Sequence, residues 1–312
     1  MAPDLPRLRY AESSWERAGP PPDVDAAEVR RRLAPWPALA AQPFTLLEGG
    51  LRALVLRVGD VVARLALAAD DDVIKAAALH ARLAGVVCVP RVVGVDVGAR
   101  VLLLEHLPHE ELPATAEAGA AVGRVAARLH AIRFPTWGLF APTSPDAPLR
   151  PSPTHPSALD ALRAWADGAL AGPAGRRLGD RAADVARAWD AAAPALATAC
   201  TDAGLVHGDF KPANLKWRPD AHEVLVLDLE FAWAGPALID VGQLLRWEVP
   251  EPFVAAFATA YVEGGGRLPD GWRRTAELLD LFNLVGLLDH PDDLPVRDVD
   301  LLARVARTVA AP

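Results

Sequence analysis

Residues 207–217 read HGDFKPANLKW, and a few positions later residues 224–230 read VLVLDLE, which brings Asp209, Asn214 and Asp228 within twenty positions of one another. A carboxylate beside a hydroxyl can orient it and accept its proton, and a second carboxylate with an amide carbonyl offers hard oxygen ligands to a divalent cation. Transfer of a terminal phosphoryl group from a nucleotide requires those parts: a base, a metal to neutralise phosphate charge, and oxygens to hold the metal. Asp209 fits the base. Asn214, five positions on, can return its carbonyl through a short loop, and Asp228 ends an apolar run that would deliver it to a sheet edge. Asp, Asn, Gly and Pro are also the usual turn residues, so the loop taken alone reads equally well as a connection between strands.

The elements around these residues follow from apolar patterning. FTLLEGG, RALVLRVGD and VVARLAL are short apolar runs punctuated at Gly49-Gly50 and Gly59-Asp60, the pattern of three antiparallel strands joined by tight turns. DDDVIKAAALHARLAG opens on aspartates and stops at Gly85, a helix with its start and stop signals. RVVGVD and VLLLEHL then flank Gly98 as a second hairpin. With a single helix among five strands, an all-parallel sheet is excluded, so the N-terminal part is α+β and mostly antiparallel. Beyond Pro108 the pattern turns helical. Val122, Val125, Ala126, Leu129 and Ile132 form one apolar helix face, and further helices are expected near 157–170 (capped by Ser157), 180–203 (bent at Pro194), 237–248, 252–264, 271–289 and 298–310. Residues 134–156 carry seven prolines and read as a loop or lid. Residues 1–43, rich in proline and arginine with one helix-like stretch VDAAEVRRRLA, read as a surface lead-in.

Composition narrows the class. A chain of 312 residues buries a substantial core and divides naturally into two lobes, here 1–107 and 108–312, with the loop 207–214 in the second. The net charge of −8 argues against nucleic acid and is more comfortable with a small polar or cationic partner. No apolar stretch is long enough for a membrane helix and the start MAPDLPRLRY is no export signal, so a cytoplasmic location is expected. Cys88 and Cys200 are read as free thiols, and His80, His106, His109 and His130 have no metal-ligand spacing.

HGDFKPAN, then VLDLE, then GPALIDVG, in that order, resembles the catalytic region of the aminoglycoside phosphotransferase family, small-molecule kinases with a bilobal protein-kinase-like fold. VGRVAARLHAI resembles the family's helix before the catalytic loop, VLLLEHLP its hinge and VVARLA its third strand, so the resemblance spans roughly residues 44–290. It implies that Asp209 is the catalytic base, that Asn214 and Asp228 hold magnesium, that His207 braces the loop, and that Asp240 supports it from a following helix. Glu230 is expected as a further metal-side carboxylate, on the same strand face as Asp228 if the strand continues. Arg64 takes the place of the phosphate-binding lysine, as a guanidinium chelates phosphate well. Gly49 and Gly50 let the first turn approach the phosphates, and the backbone of Glu105, His106 and Leu107 reads the adenine.

One departure stands out. The helix after the third strand lacks the family's glutamate for the strand cation, and Lys75 stands near its place, leaving Asp70, Asp71 or Asp72 as substitutes from the helix start, or another residue to place Arg64. The expected activity is ATP- and Mg2+-dependent transfer, with GTP as an alternative donor, to a hydroxyl of an aminoglycoside, amino sugar or other small alcohol. A nucleotide-binding pseudokinase or sensor is the alternative that the missing glutamate leaves open. Trp137, Trp165 and Trp247 are read as packing residues in preference to pocket lining. Asp289, Asp292, Asp293, Asp298 and Asp300 are read as a solvated acidic loop, against a role facing a cationic substrate.

Overall fold

A computed structural model of the chain describes residues 15–16, 24–49, 53–67 and 72–311. Gly50, Asp70 and Asp71 lie outside the described residues. The N-terminal part runs α1 (Ala26–Arg32), α2 (Pro37–Ala40), β1 (Thr45–Gly49), β2 (Ala53–Val58), β3 (Val61–Ala66), α3 (Val73–Leu83), β4 (Val92–Asp96) and β5 (Val101–Glu105). The strands form one antiparallel sheet in the order β1-β2-β3-β5-β4, as the glycine-punctuated pattern predicts. Gly59, with φ +60°, makes the two-residue turn between Val58 and Val61. Asp72 caps α3 by accepting from the backbone N–H of Ile74 and Lys75, so its carboxylate serves the helix start.

The lead-in expectation is corrected for residues 26–33. Val29 of α1 and Leu33 at its C-cap are buried against Leu56, Leu65 and Leu103 of the sheet, and Arg32 donates to the carbonyls of Ala66, Ala99 and Arg100. The apolar stripe of VDAAEVRRRLA therefore forms a packing layer on the sheet.

The chain continues with β6 (Glu110–Glu111), α4 (Ala116–His130), β7 (Gly138–Phe140), β8 (Pro151–Ser152), α5 (Ala158–Ala171), α6 (Pro173–Leu178), α7 (Arg181–Ala191), α8 (Ala193–Ala199), β9 (Gly204–Val206), β10 (Leu215–Arg218), β11 (Glu223–Val226), β12 (Trp233–Gly235), α9 (Leu238–Leu245), α10 (Glu251–Glu263), α11 (Trp272–Leu287) and α12 (Pro295–Ala310). The helix expected over 180–203 breaks at Ala192, ahead of Pro194. Two small antiparallel sheets, β11-β10-β6 and β8-β7-β12-β9, are inserted among the helices. The second corrects the reading of 134–156 as loop throughout: β7 uses a proline-free triplet, and Pro151 falls on the edge strand β8, where a missing N–H breaks no internal ladder.

Small residues set how closely the helices dock. A Cβ at Gly119 or Gly123 of α4 would lie 2.3 or 2.4 Å from the carbonyl oxygens of Phe253 and Phe257 on α10. One at Gly242 of α9 would meet Ala276 O of α11 at 2.1 Å, and the buried pair Arg246–Asp280 locks the same two helices. α12 has no side-chain cap of its own at Leu294; Glu16 supplies it, accepting from Val296 N (2.7 Å) and Arg297 N (3.0 Å), while Trp15 donates to Asp300 and packs on Trp247. Among the described residues no helix is long and apolar enough to cross a membrane.

Candidate active site

β9 pairs with β12 from Gly204↔Gly235 to Val206↔Trp233 and releases the chain at His207, directly over the N-terminal half of α9. Asp240, fully buried on α9, accepts from His207 N (2.7 Å), Gly208 N (3.0 Å) and the His130 ring (Nε2, 3.1 Å). Gln243, one turn along the same helix face, accepts from Phe210 N and donates to Gly208 O, both at 2.7 Å. Both backbone groups of Gly208 are thereby occupied. Its φ is +79°, and a Cβ there would sit 2.3 Å from Phe231 O, so glycine is required on two counts. His207 is buried; its Nε2 donates to Leu227 O (2.8 Å) and its Nδ1 accepts from Asp209 N (3.3 Å), a pair satisfied by the ring protonated on Nε2. His130 continues outward to the Tyr261 hydroxyl at 2.9 Å.

The loop thus held presents Asp209, half-buried. Asn214, at the end of a 3-10 turn (Pro212–Asn214), donates from Nδ2 to both the backbone O and Oδ2 of Asp209 at 2.9 Å. That assignment of the amide leaves Oδ1 as an available hard oxygen donor. Lys211 Nζ lies 2.9 Å from Asp209 Oδ2. Leu227 N donates to Asn214 O, joining the end of β11 to the loop and setting Asp228 beside it. Asp228 adopts a left-handed conformation (φ 58°, ψ 62°), a strained geometry that aspartate tolerates better than most residues.

Burial pushes the Asp228 carboxyl up and Asp209 adds to this, while Arg64, His207 and Lys211 pull it down; the net direction is upward. The side chain nevertheless exposes area to solvent. Asp228 is an exposed residue, so a cation can reach it. Among the described residues no three His, Cys, Asp or Glu side chains converge into a ready-made metal cage. The Asp228 carboxylate and Asn214 Oδ1 are a hard-oxygen pair of the kind that takes magnesium together with phosphates and water.

Glu230 is displaced from its expected place. β11 stops at Val226, the chain turns left-handed at Asp228, and Leu229–Phe231 form a 3-10 turn, so the strand alternation that would have put Glu230 beside Asp228 does not exist. Its carboxylate instead takes Arg64 Nη2 at 2.5 Å, and its backbone carbonyl takes Lys75 Nζ at 2.7 Å. Arg64 points from the middle of β3, opposite Val55 and Leu102, to the turn that follows Asp228. Gly49 ends β1. At the end of β5, Glu105 N donates to Arg91 O, His106 N to Asp60 O, and the His109 ring bonds Leu107 O.

Sequence reasoning missed Gln243, Lys211 and the His130–Tyr261 arm. Only the first had a signal, three positions after Asp240 on a short apolar helix. Trp247 is buried between the guanidinium groups of Arg246 and Arg304, and Trp165, half exposed, lies over Gly286. The solvated reading of the acidic stretch is corrected at two places: Asp298 binds Arg177 and His290, and Asp300 binds Arg304 and Trp15.

The family model described as the APH phosphotransferase enzyme family matches residues 15–278. The chain belongs to this family. It is a small-molecule kinase that transfers phosphate to a hydroxyl. Solved structures of like fold include a choline/ethanolamine kinase family protein from Mesorhizobium loti, 22% identical over 92% of this chain and 95% of that one, TM-score 0.67. Choline kinase LicA from Streptococcus pneumoniae is 13% identical over 90% and 97%, TM-score 0.65. The streptomycin-ATP-APH(2")-IIa ternary complex is 15% identical over 93% and 97%, TM-score 0.63. No curated protein matches the sequence. Membership in the family and these likenesses together establish the kinase-like architecture expected from the motifs.

Proposed function

We propose that the chain is an ATP- and magnesium-dependent kinase of a small hydroxylated molecule, working in the cytoplasm, with a nucleotide-binding lobe at 1–107 and a helical lobe at 108–312. The observation that carries the reading is the loop itself: Asp209 is pinned by Asn214 and Lys211 on one side and, through His207 and Gly208, by buried Asp240 on the other. Asp209 orients the acceptor hydroxyl and takes its proton as the hydroxyl oxygen bonds to the γ-phosphorus and the bond to the departing ADP oxygen breaks. Asn214 Oδ1 and Asp228 would hold magnesium, which supplies charge neutralisation on the phosphates when bound. Arg64 offers a guanidinium to grip phosphate oxygens, and the backbone of residues 105–107 receives the purine, with GTP as an alternative donor. The sensor reading rests on the missing helix glutamate; the ion pair of Arg64 with Glu230 speaks against it.

For the acceptor, the similar structures of a choline kinase and of a streptomycin complex, together with the net charge of −8, favour an amine-bearing alcohol or amino sugar. The test is ADP release with magnesium and ATP across a panel of hydroxylated amines, amino sugars and aminoglycosides, with Asp209→Asn as control. Removal of a general base is expected to cost about 10²–10⁴-fold in turnover. Undiminished turnover in Asp209→Asn would overturn the assignment.

A further inference from the structure

We propose that Glu230 and Lys75 are positioning residues for the nucleotide phosphates: Glu230 orients Arg64, and Lys75 in turn holds Glu230. The inference rests on the kinase reading above and concerns the departure noted in the sequence, the helix that carries a lysine where an acid was expected.

The geometry is a chain of two contacts. Arg64 and Glu230 are both largely buried side chains, 12% and 16% exposed, joined at 2.5 Å. A guanidinium has five N–H donors in a rigid plane, so fixing one edge on a carboxylate directs the rest of the plane. Lys75 stands in the first turn of α3, after the Asp72 cap, and its Nζ donates to the backbone carbonyl of Glu230 at 2.7 Å rather than to the carboxylate. A carboxylate at position 75 would face that carbonyl oxygen with like partial charge. The residue type on the helix therefore matches what the helix faces: an ammonium group for a carbonyl, with the acid moved to the turn Leu229–Phe231. The consequence is that the phosphate-side cation and the metal ligand Asp228 are governed by one three-residue segment, and α3 acts on both through Lys75.

The alternative is the role expected from sequence, in which Glu230 ligates the metal. Binding of a non-hydrolysable ATP analogue, AMP-PNP, to the full chain separates the two without requiring the acceptor. At saturating magnesium, Glu230→Gln and Lys75→Met are each expected to weaken AMP-PNP binding by about tenfold to a hundredfold, the range for losing a hydrogen bond to a charged group. The magnesium concentration for half-maximal binding stays at the wild-type value, Lys75→Arg restores most of the affinity, and the double variant is no weaker than Glu230→Gln by more than about twofold, because the two act in series. A rise in the magnesium requirement of Glu230→Gln at unchanged limiting affinity would make Glu230 a metal ligand and overturn the proposal. Wild-type affinity in Lys75→Met would overturn it for Lys75. Wild-type protein that binds no AMP-PNP would instead overturn the kinase reading beneath it, a distinguishable result.

Discussion

Replacing Asp240 by asparagine changes one buried atom and tests how the catalytic loop is held. The carboxylate receives two donors on Oδ2, His207 N and His130 Nε2, and a third, Gly208 N, on Oδ1. An asparagine oxygen in the Oδ2 place keeps two of these contacts but turns its NH2 toward the N–H of Gly208, donor against donor. The opposite amide orientation loses two contacts instead of one. The milder choice still forfeits a hydrogen bond to a charged acceptor, worth about 1.5–3 kcal/mol, and leaves the part-buried N–H of Gly208 facing a donor. A loss of about 3 kcal/mol is expected, a large part of the roughly 5–15 kcal/mol that holds a domain together. Gly208 adjoins Asp209, so the loop shifts where position matters most, and a displacement of about 1 Å costs on the order of a hundredfold in rate. Urea denaturation of the purified variant reads the first effect and turnover of the acceptor identified in the panel reads the second. A variant within about 1 kcal/mol of wild type that keeps its turnover would refute the reasoning, since the backbone donors of residues 207 and 208 would then be held by something other than Asp240.

Two further expectations concern packing and protonation. Gly123→Ala forces α4 and α10 apart against Phe257 O and should destabilise by about 1–3 kcal/mol, whereas Gly168→Ala, on α5 with nothing within 4 Å of the new methyl, should stabilise by up to about 1 kcal/mol; denaturant midpoints of the two variants should move in opposite directions. Burial pushes His80 down to about 4, with its ring bonded to Pro90 O. The unfolded chain therefore takes up a proton near pH 6.5 while the folded chain does not until about 4, and stability is lost as pH falls through that window, by about 3 kcal/mol from this group. The urea midpoint of His80→Gln should fall less between pH 7 and pH 4.5 than that of the wild type.

What the sequence made legible was local. Strands bounded by Gly59 and Gly98, helices begun by Asp72 and Ser157, and a loop whose functional atoms lie within eight residues all follow from short-range rules. What it left unread depends on partners far along the chain. Glu110–Glu111 becomes a strand only because β10 is there to receive it. The stripe on α1 signals burial, but only the sheet shows where that burial takes place. Glu230 followed strand alternation until the left-handed turn at Asp228 ended the strand, and the absence of a glutamate on α3 was visible while its replacement, 166 positions from Arg64, was not.

The cap that Glu16 supplies to α12 also has a temporal side. The two partners are 280 positions apart, and a ribosome adding about 5–20 residues per second takes roughly a quarter of a minute to a minute to produce the second after the first. Throughout that interval Trp15 and Glu16 have no docking surface, and the N-terminus of α12 has no cap once it emerges until the two meet. Closing the contact is therefore a late act of biogenesis, which waits until residues 296 and 297 have been made.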